Sequence, residues 1–302
     1  MELWQSSGPV EGMLHLGTQQ IAARVWGNAD KPLLIALHGW LDNLNSFIPL
    51  AAHLQSDYHI LAIDWPGHGL SSWRAGHYPL HWVDYLYDLH RLLDLVAPQQ
   101  PVYLLGHSLG GLVASAYGAA YPERVKALVL LEALVPLFED PQQQKMRLCK
   151  SFKQTLQKTL QGRHYCTLAQ AVQSRQRLTG LEAPWCQLIL ERNLAKDERG
   201  SYWRTDPRLR TDSPQRLTFA QIEQWMQKIA LPTLLLTGSE GYPSLTQLVP
   251  KVAPWFTCLT KVQLTGNHHL HMQNAEKVAL VIKDFLEQTK CADGARQSQE
   301  IM

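Results

Sequence analysis

Gly106-His107-Ser108-Leu109-Gly110 lies between an apolar, β-prone run, Val102-Tyr103-Leu104-Leu105, and a stretch of small and apolar residues, Leu109 to Ala120, suited to a helix. Strand, tight turn and helix follow in the order of a G-x-S-x-G nucleophile elbow, which lifts a serine hydroxyl clear of a sheet. Gly106 and Gly110 carry no Cβ where strand and helix must nearly touch. The same turn sets the Leu109 N–H at a helix N-terminus, where developing negative charge is favoured.

Working outward, the pattern on both sides is strand alternating with helix. Upstream, Met13–Gly17 and Ile21–Gly27 predict an opening hairpin, and Leu33-Leu34-Ile35-Ala36-Leu37 is a continuous apolar strand of the kind buried on both faces of a parallel sheet. A helix is predicted over 46–54, a strand over 59–63, a turn at Asp64-Trp65-Pro66-Gly67-His68-Gly69, and a long amphipathic helix over 80–96. Downstream, Val125–Leu131 is a further buried strand ending on Glu132. The alternation then stops. From 133 to 216 the pattern contains no good strand but three helical stretches, 145–160, 168–178 and 184–194, which predicts a helical insertion. Within it, Trp185, Leu188, Ile189 and Trp203 read chiefly as core, and Trp203-Arg204-Thr205-Asp206-Pro207-Arg208 as an Arg–Asp clasp in preference to an anion site. The sheet resumes with a helix over 219–229, strands over 232–237 and 261–265, and a closing helix over 275–286. The expected fold class is α/β, with a mostly parallel sheet.

Composition narrows the function classes. The 302 residues are 45% hydrophobic and 18% charged, ordinary for a globular protein, and the net charge of +2 with no long basic run gives no reason to expect a nucleic-acid partner. Five cysteines without a C-x-x-C pair suggest neither a disulfide framework nor a zinc ribbon, and point to a reducing compartment. The N-terminus lacks a basic stretch followed by an apolar one, and no run approaches the roughly 18 apolar residues of a membrane span. The expectation is a soluble cytoplasmic protein acting on a small molecule, with no cofactor, no metal and no membrane span.

The ordered set of His38-Gly39, Asp64-Trp65-Pro66-Gly67-His68-Gly69, the serine elbow and Gly266-Asn267-His268 resembles the α/β-hydrolase fold family over nearly the whole chain outside the insertion. Leu37-His38-Gly39-Trp40-Leu41-Asp42-Asn43 resembles its serine hydrolase-like branch. The resemblance implies an eight-stranded core (1–132 and 217–302), a helical cap (133–216) inserted after the sixth strand, and a Ser–acid–His triad in that chain order.

Ser108 is a weak nucleophile unless a histidine takes its proton and a carboxylate fixes that histidine's tautomer. His268 is the expected base, since it follows the Gly-Asn turn after the last strand, and His268-x-x-His271 before the closing helix matches the family's catalytic loop. A metal site built from His268, His269 and His271 is disfavoured, because no neighbouring carboxylate or cysteine completes a known ligand spacing. The acid departs from the family pattern: the usual position, three residues after the glycine closing the strand over 232–237, is Gly241. Glu132, at the carboxyl end of its strand, is preferred, with Glu240 as the alternative. The backbone N–H groups of Trp40 and Leu109 are the expected oxyanion hole, and Trp40, His107 and Gly39 the expected pocket wall. His38 and Asp64 are read as loop-ordering groups.

The expected activity is hydrolysis of an ester, thioester or related acyl bond of a small to medium apolar substrate through an acyl-enzyme. Carbon–carbon bond hydrolysis with the same triad stays open. So does a non-catalytic ligand-binding protein, which the glycine at the usual acid position favours.

Overall fold

The computed structural model describes residues 2–160 and 162–300, with side chains through residue 289. Its centre is a sheet of eight strands: β1 (Val10–Leu16), β2 (Gln19–Trp26), β3 (Leu33–Leu37), β4 (His59–Ile63), β5 (Val102–His107), β6 (Val125–Leu131), and two later strands, Thr233–Glu240 and Leu259–Asn267. In space the order is β1-β2-β4-β3-β5-β6, followed by those two. The β1–β2 and β2–β4 pairings are antiparallel and the remainder parallel.

The apolar runs of β3 to β6 follow from burial on both faces, since successive residues point to opposite sides of a strand. Ile35, Leu37, Leu104, Leu128 and Leu130 pack on one face against α2 (Val83–Val96) and α3 (Leu109–Ala120), using Leu89, Leu92 and Val113. Leu34, Ala36, Tyr103, Leu105 and Val129 pack on the other. There they meet Leu50 and Leu54 of α1 (Ile48–Leu54), and Val278, Ile282 and Phe285 of the C-terminal helix, Ala275–Glu300. That last helix outruns the predicted 275–286 because the residues after Leu286 are polar and carry no apolar period. A helix over Pro243–Val252, and a single turn over Leu270–Gln273, were not legible in the sequence; the first begins on a proline and contains Pro250, which argues against a helix interior. Among the described residues no helix is long and apolar enough to cross a membrane.

The elbow glycines are required by close approach. A Cβ on Gly110 would fall 1.9 Å from the Leu37 carbonyl oxygen, and one on Gly106 would fall 2.5 Å from the backbone of Gly110 and Gly111.

Between β6 and the seventh strand of the sheet lies the insertion, with helices Gln144–Thr159, Leu168–Thr179 and Ala183–Asn193. It departs from the all-helical expectation in one place. β7 (Leu194–Asp197) and β8 (Gly200–Trp203) form an antiparallel hairpin; four-residue strands bearing Lys196 and Asp197 present no apolar alternation to read. Accordingly the two later sheet strands are β9 (Thr233–Glu240) and β10 (Leu259–Asn267).

Ala171, Leu181, Cys186, Ile189 and Leu190 of the insertion form a small core with Met272 from the turn over Leu270–Gln273, and Trp185, Leu188 and Trp203 pack around it. Polar ties fasten it to the sheet. Asn43 Nδ2 donates to the Ile189 carbonyl at 2.7 Å, Trp40 Nε1 to the Leu209 carbonyl at 2.7 Å, and Arg192 Nε to Asp64 Oδ2 at 2.7 Å. The Arg–Asp clasp also forms: the Arg208 guanidinium grips Asp206 and donates to the Gly76 carbonyl at 2.8 Å.

Candidate active site

Among the described residues four non-glycine residues have positive φ; Leu41 (φ 61°) and Ser108 (φ 48°) line one cavity, and Glu132 (φ 55°) contacts His268 on its wall. Such conformations cost about 1–3 kcal/mol each and persist only where surroundings over-determine them. At Ser108 the surroundings are the ends of β5 and β6: its N–H donates to the Leu131 carbonyl at 2.9 Å, and its carbonyl accepts from Leu112 N at 2.9 Å. The strained turn aims the hydroxyl into a cavity of about 780 Å³, also lined by Gly39, Trp40, Asp42, His107, Tyr242 and His268. Leu109 is the first residue of α3, where backbone N–H groups have no acceptor within the helix.

Glu132, next after β6, is held by its N–H to the Leu236 carbonyl at 3.0 Å. Its Oε1 accepts from Gly238 N at 2.6 Å, and its Oε2 accepts from Tyr242 N at 3.3 Å and from His268 Nδ1 at 3.2 Å. Burial works to raise its pKa, but the hydrogen bonds from His268 and from the Gly238 and Tyr242 amides prevail and hold the carboxyl below the ordinary glutamate value. Gly241 explains itself in this setting. A Cβ there would lie 2.4 Å from both Glu132 oxygens, so the Glu132 carboxylate occupies the volume that a side chain at 241 would need. Glu240 is exposed at the end of β9, abreast of Asn267 in the sheet.

His268 is lowered to about 4, first by burial and further by His107 and His269, against the opposing pull of Glu132. The imidazole is therefore neutral at pH 7. With Nδ1–H directed at the carboxylate, Nε2 carries the lone pair. The Tyr242 ring packs against it at a centroid distance of 4.1 Å.

Behind His268 lies a second, buried group that sequence spacing did not reveal. Asp42 Oδ2 is 3.4 Å from His107 Nδ1 and 3.3 Å from His269 Nε2, while Asp42 Oδ1 is paired with Arg175 of the insertion. Burial raises the Asp42 pKa, and Arg175 and His269 outweigh it, so the group stays ionised. His107 Nε2 donates to the His268 carbonyl at 2.8 Å, which ties the elbow to the histidine loop. Asp42, His107 and His269 bring three potential ligand atoms within 4.8 Å of one another. Arg175 already neutralises the carboxylate there, so a divalent ion would add uncompensated charge to a buried site. His271 is fully buried against His107 and Phe47, and His268 is engaged with Glu132; the three loop histidines do not converge on one point.

The two residues read as loop-ordering groups make such contacts. His38 Nδ1 donates to the Gly39 carbonyl at 2.7 Å, and its Nε2 accepts from Trp65 N at 3.0 Å. Asp64 accepts from Leu44 N at 2.9 Å and Leu70 N at 2.8 Å. Asp42 was visible only as part of the Leu37–Asn43 motif; its partners lie 65, 133 and 227 positions on, so no local pattern could have assembled them.

A family model described as alpha/beta hydrolase fold matches residues 32–275. Serine hydrolase-like protein 2 of Homo sapiens is 28% identical over 289 residues, covering 89% of this chain and 91% of its own length. A crystal structure of a hypothetical protein from Pseudomonas aeruginosa PAO1 superposes with a TM-score of 0.83 at 31% identity, covering 92% of this chain and 99% of that one. A thioesterase domain from the curacin biosynthetic pathway has a TM-score of 0.79 at 24% identity, covering 91% and 99%; at that identity the likeness is one of fold.

Proposed function

The chain belongs to the α/β-hydrolase fold family, and on that premise we propose that it is a serine hydrolase cleaving an ester or thioester of a small to medium apolar acyl group. We assign 1–132 and 217–302 to its catalytic core and 133–216 to a cap over the cavity. One observation carries the proposal: His268, neutral and with Nδ1 on the buried Glu132 carboxylate at 3.2 Å, lines the same cavity as a serine on a strained elbow.

In the proposed mechanism His268 Nε2 takes the Ser108 hydroxyl proton as Oγ attacks the acyl carbon. Glu132 holds the tautomer and offsets the imidazolium charge that forms. The Leu109 and Trp40 N–H groups receive the oxyanion, His268 returns the proton to the leaving group, and water repeats the sequence to release the acid. The apolar share of the cavity wall, with Leu41, Leu178 and Trp203, supports an apolar acyl group. Relatives in name and fold include a serine hydrolase-like protein and a thioesterase domain. The glycine at the usual acid position, which favoured a non-catalytic binding protein, is accounted for by the carboxylate filling its space.

The test is intact mass after incubation with a fluorophosphonate, run beside Ser108→Ala. A single adduct, absent from the variant, is the expected result. Well-folded protein that takes no adduct overturns the proposal.

A further inference from the structure

The cavity at Ser108 does not end at its own walls. A second cavity of about 440 Å³ shares His164, Trp203, Thr205 and Arg210 with it, so the two meet along one seam. Their linings differ in kind. The second is bordered by Arg74, His77, Lys158, Arg163, Arg208 and Arg210, and its one acidic lining residue among the described residues is Asp206.

Ion pairs account for part of this charge. Arg74 is held by Asp88, Arg163 by Asp197 at 2.9 Å, and Arg208 by Asp206 at 2.6 Å. Arg210 differs. It stands at the seam, belongs to both linings, and has its guanidinium 5.1 Å from the centre of the Trp203 ring, with no carboxylate partner among the described residues. Cation–π attraction to the indole draws a guanidinium to this wall without using its N–H donors, which are left for an oxygen ligand. Trp73, whose Nε1 donates to the Arg204 carbonyl at 2.8 Å, adds a rigid aromatic wall on the same side.

From this we propose that the second cavity receives the phosphate-bearing end of the substrate, so that the acyl group attacked at Ser108 is carried on a phosphorylated leaving group, for which phosphorylated pantetheine thiols serve as probes. The inference rests on the serine hydrolase reading for the bond that is cut, and adds the class of leaving group. Planar, forked donors favour phosphate oxygens over a neutral tail. The Arg210 charge also draws an anion toward the seam, an effect that falls as salt rises.

Binding tests this without turnover. Calorimetric titrations would use pantetheine, 4′-phosphopantetheine and coenzyme A, which share one thiol arm and carry no, one and three phosphate groups, against the unmodified protein and Arg210→Ala. Either phosphorylated ligand should bind at least tenfold more tightly than pantetheine, with most of that ratio lost in Arg210→Ala, partly kept in Arg210→Lys, and reduced by 0.5 M salt. Equal affinity of 4′-phosphopantetheine and coenzyme A would show that a single phosphate fills the site, and tighter binding of coenzyme A that the site engages further phosphates. Equal affinity for pantetheine and both phosphorylated ligands, or a phosphate preference that Arg210→Ala leaves in place, overturns the inference. Fluorophosphonate labelling of Ser108, measured separately, shows whether the hydrolase reading stands when this one fails.

Discussion

Moving the proposed triad carboxylate from one strand to another is the sharpest perturbation the geometry suggests. Glu132 reaches His268 Nδ1 at 3.2 Å from the end of β6, and the missing side chain at Gly241 would start 2.7 Å from the Glu132 carboxyl carbon. A carboxylate carried by an aspartate at 241 would thus occupy the volume Glu132 now fills. Gly241 does not have a positive φ, so its backbone accepts a side chain; the three atoms nearest to a Cβ there all belong to the Glu132 carboxylate. Glu132 itself sits at φ 55°, a conformation that glycine adopts freely.

Three variants follow. Glu132→Gly removes the carboxylate and should lower kcat about 10⁴-fold, equivalent to about 5.5 kcal/mol, because the base loses its tautomer and its counter-charge. Gly241→Asp alone drives two carboxylates into one site and should be inactive or unfolded. The double variant should recover at least tenfold over Glu132→Gly. The assay is steady-state hydrolysis of a p-nitrophenyl butyrate panel together with the rate of fluorophosphonate labelling, on variants whose far-UV spectra match the parent. Folded Glu132→Gly and Glu132→Gln with near-parental rates, alongside an inactive Glu240→Ala, would refute the assignment and move the acid to Glu240.

The remaining predictions concern pH, the buried network and the exposed alternative acid. Because burial lowers His268 to about 4, the acid limb of kcat/KM should fall near 4 and not near the ordinary histidine value; a limb near 6.5 contradicts the burial argument. His38, His68 and His271 are likewise lowered by burial. The unfolded chain then binds more protons than the folded one below about pH 6.5, so stability present above that pH is lost on acidification, by up to about 1.4 kcal/mol per pH unit for each histidine. Urea midpoints between pH 7.5 and 5 should fall accordingly, and a flat profile would show these rings to be solvated. Asp42→Asn strands Arg175 and uncouples His107 from His269; it should cost about 3–5 kcal/mol by urea unfolding. Glu240→Ala, at an exposed position, should retain most of the activity and shift stability by less than about 0.5 kcal/mol.

Local chemistry was enough to expose the framework. The apolar runs of β3, β5 and β6 announce strands covered on both faces, and Gly106 and Gly110 announce a turn in which helix and strand touch, because burial and backbone sterics act on near neighbours and write themselves as period and spacing. The order of Ser108, Gly241 and His268 along the chain was legible for the same reason. The hairpin of β7 and β8 was not, since two four-residue polar strands leave no period to detect.

Tertiary structure alone decided what each charged side chain meets. It set the Glu132 carboxylate, and not Glu240, beside His268, because the two glutamates end adjacent strands that point them to different surroundings. It also gathered Asp42, His107, Arg175 and His269, separated by as many as 227 positions, around one buried oxygen pair. Such contacts depend on the register of distant segments, a property of the packed sheet and its insertion that no local stretch of the chain contains.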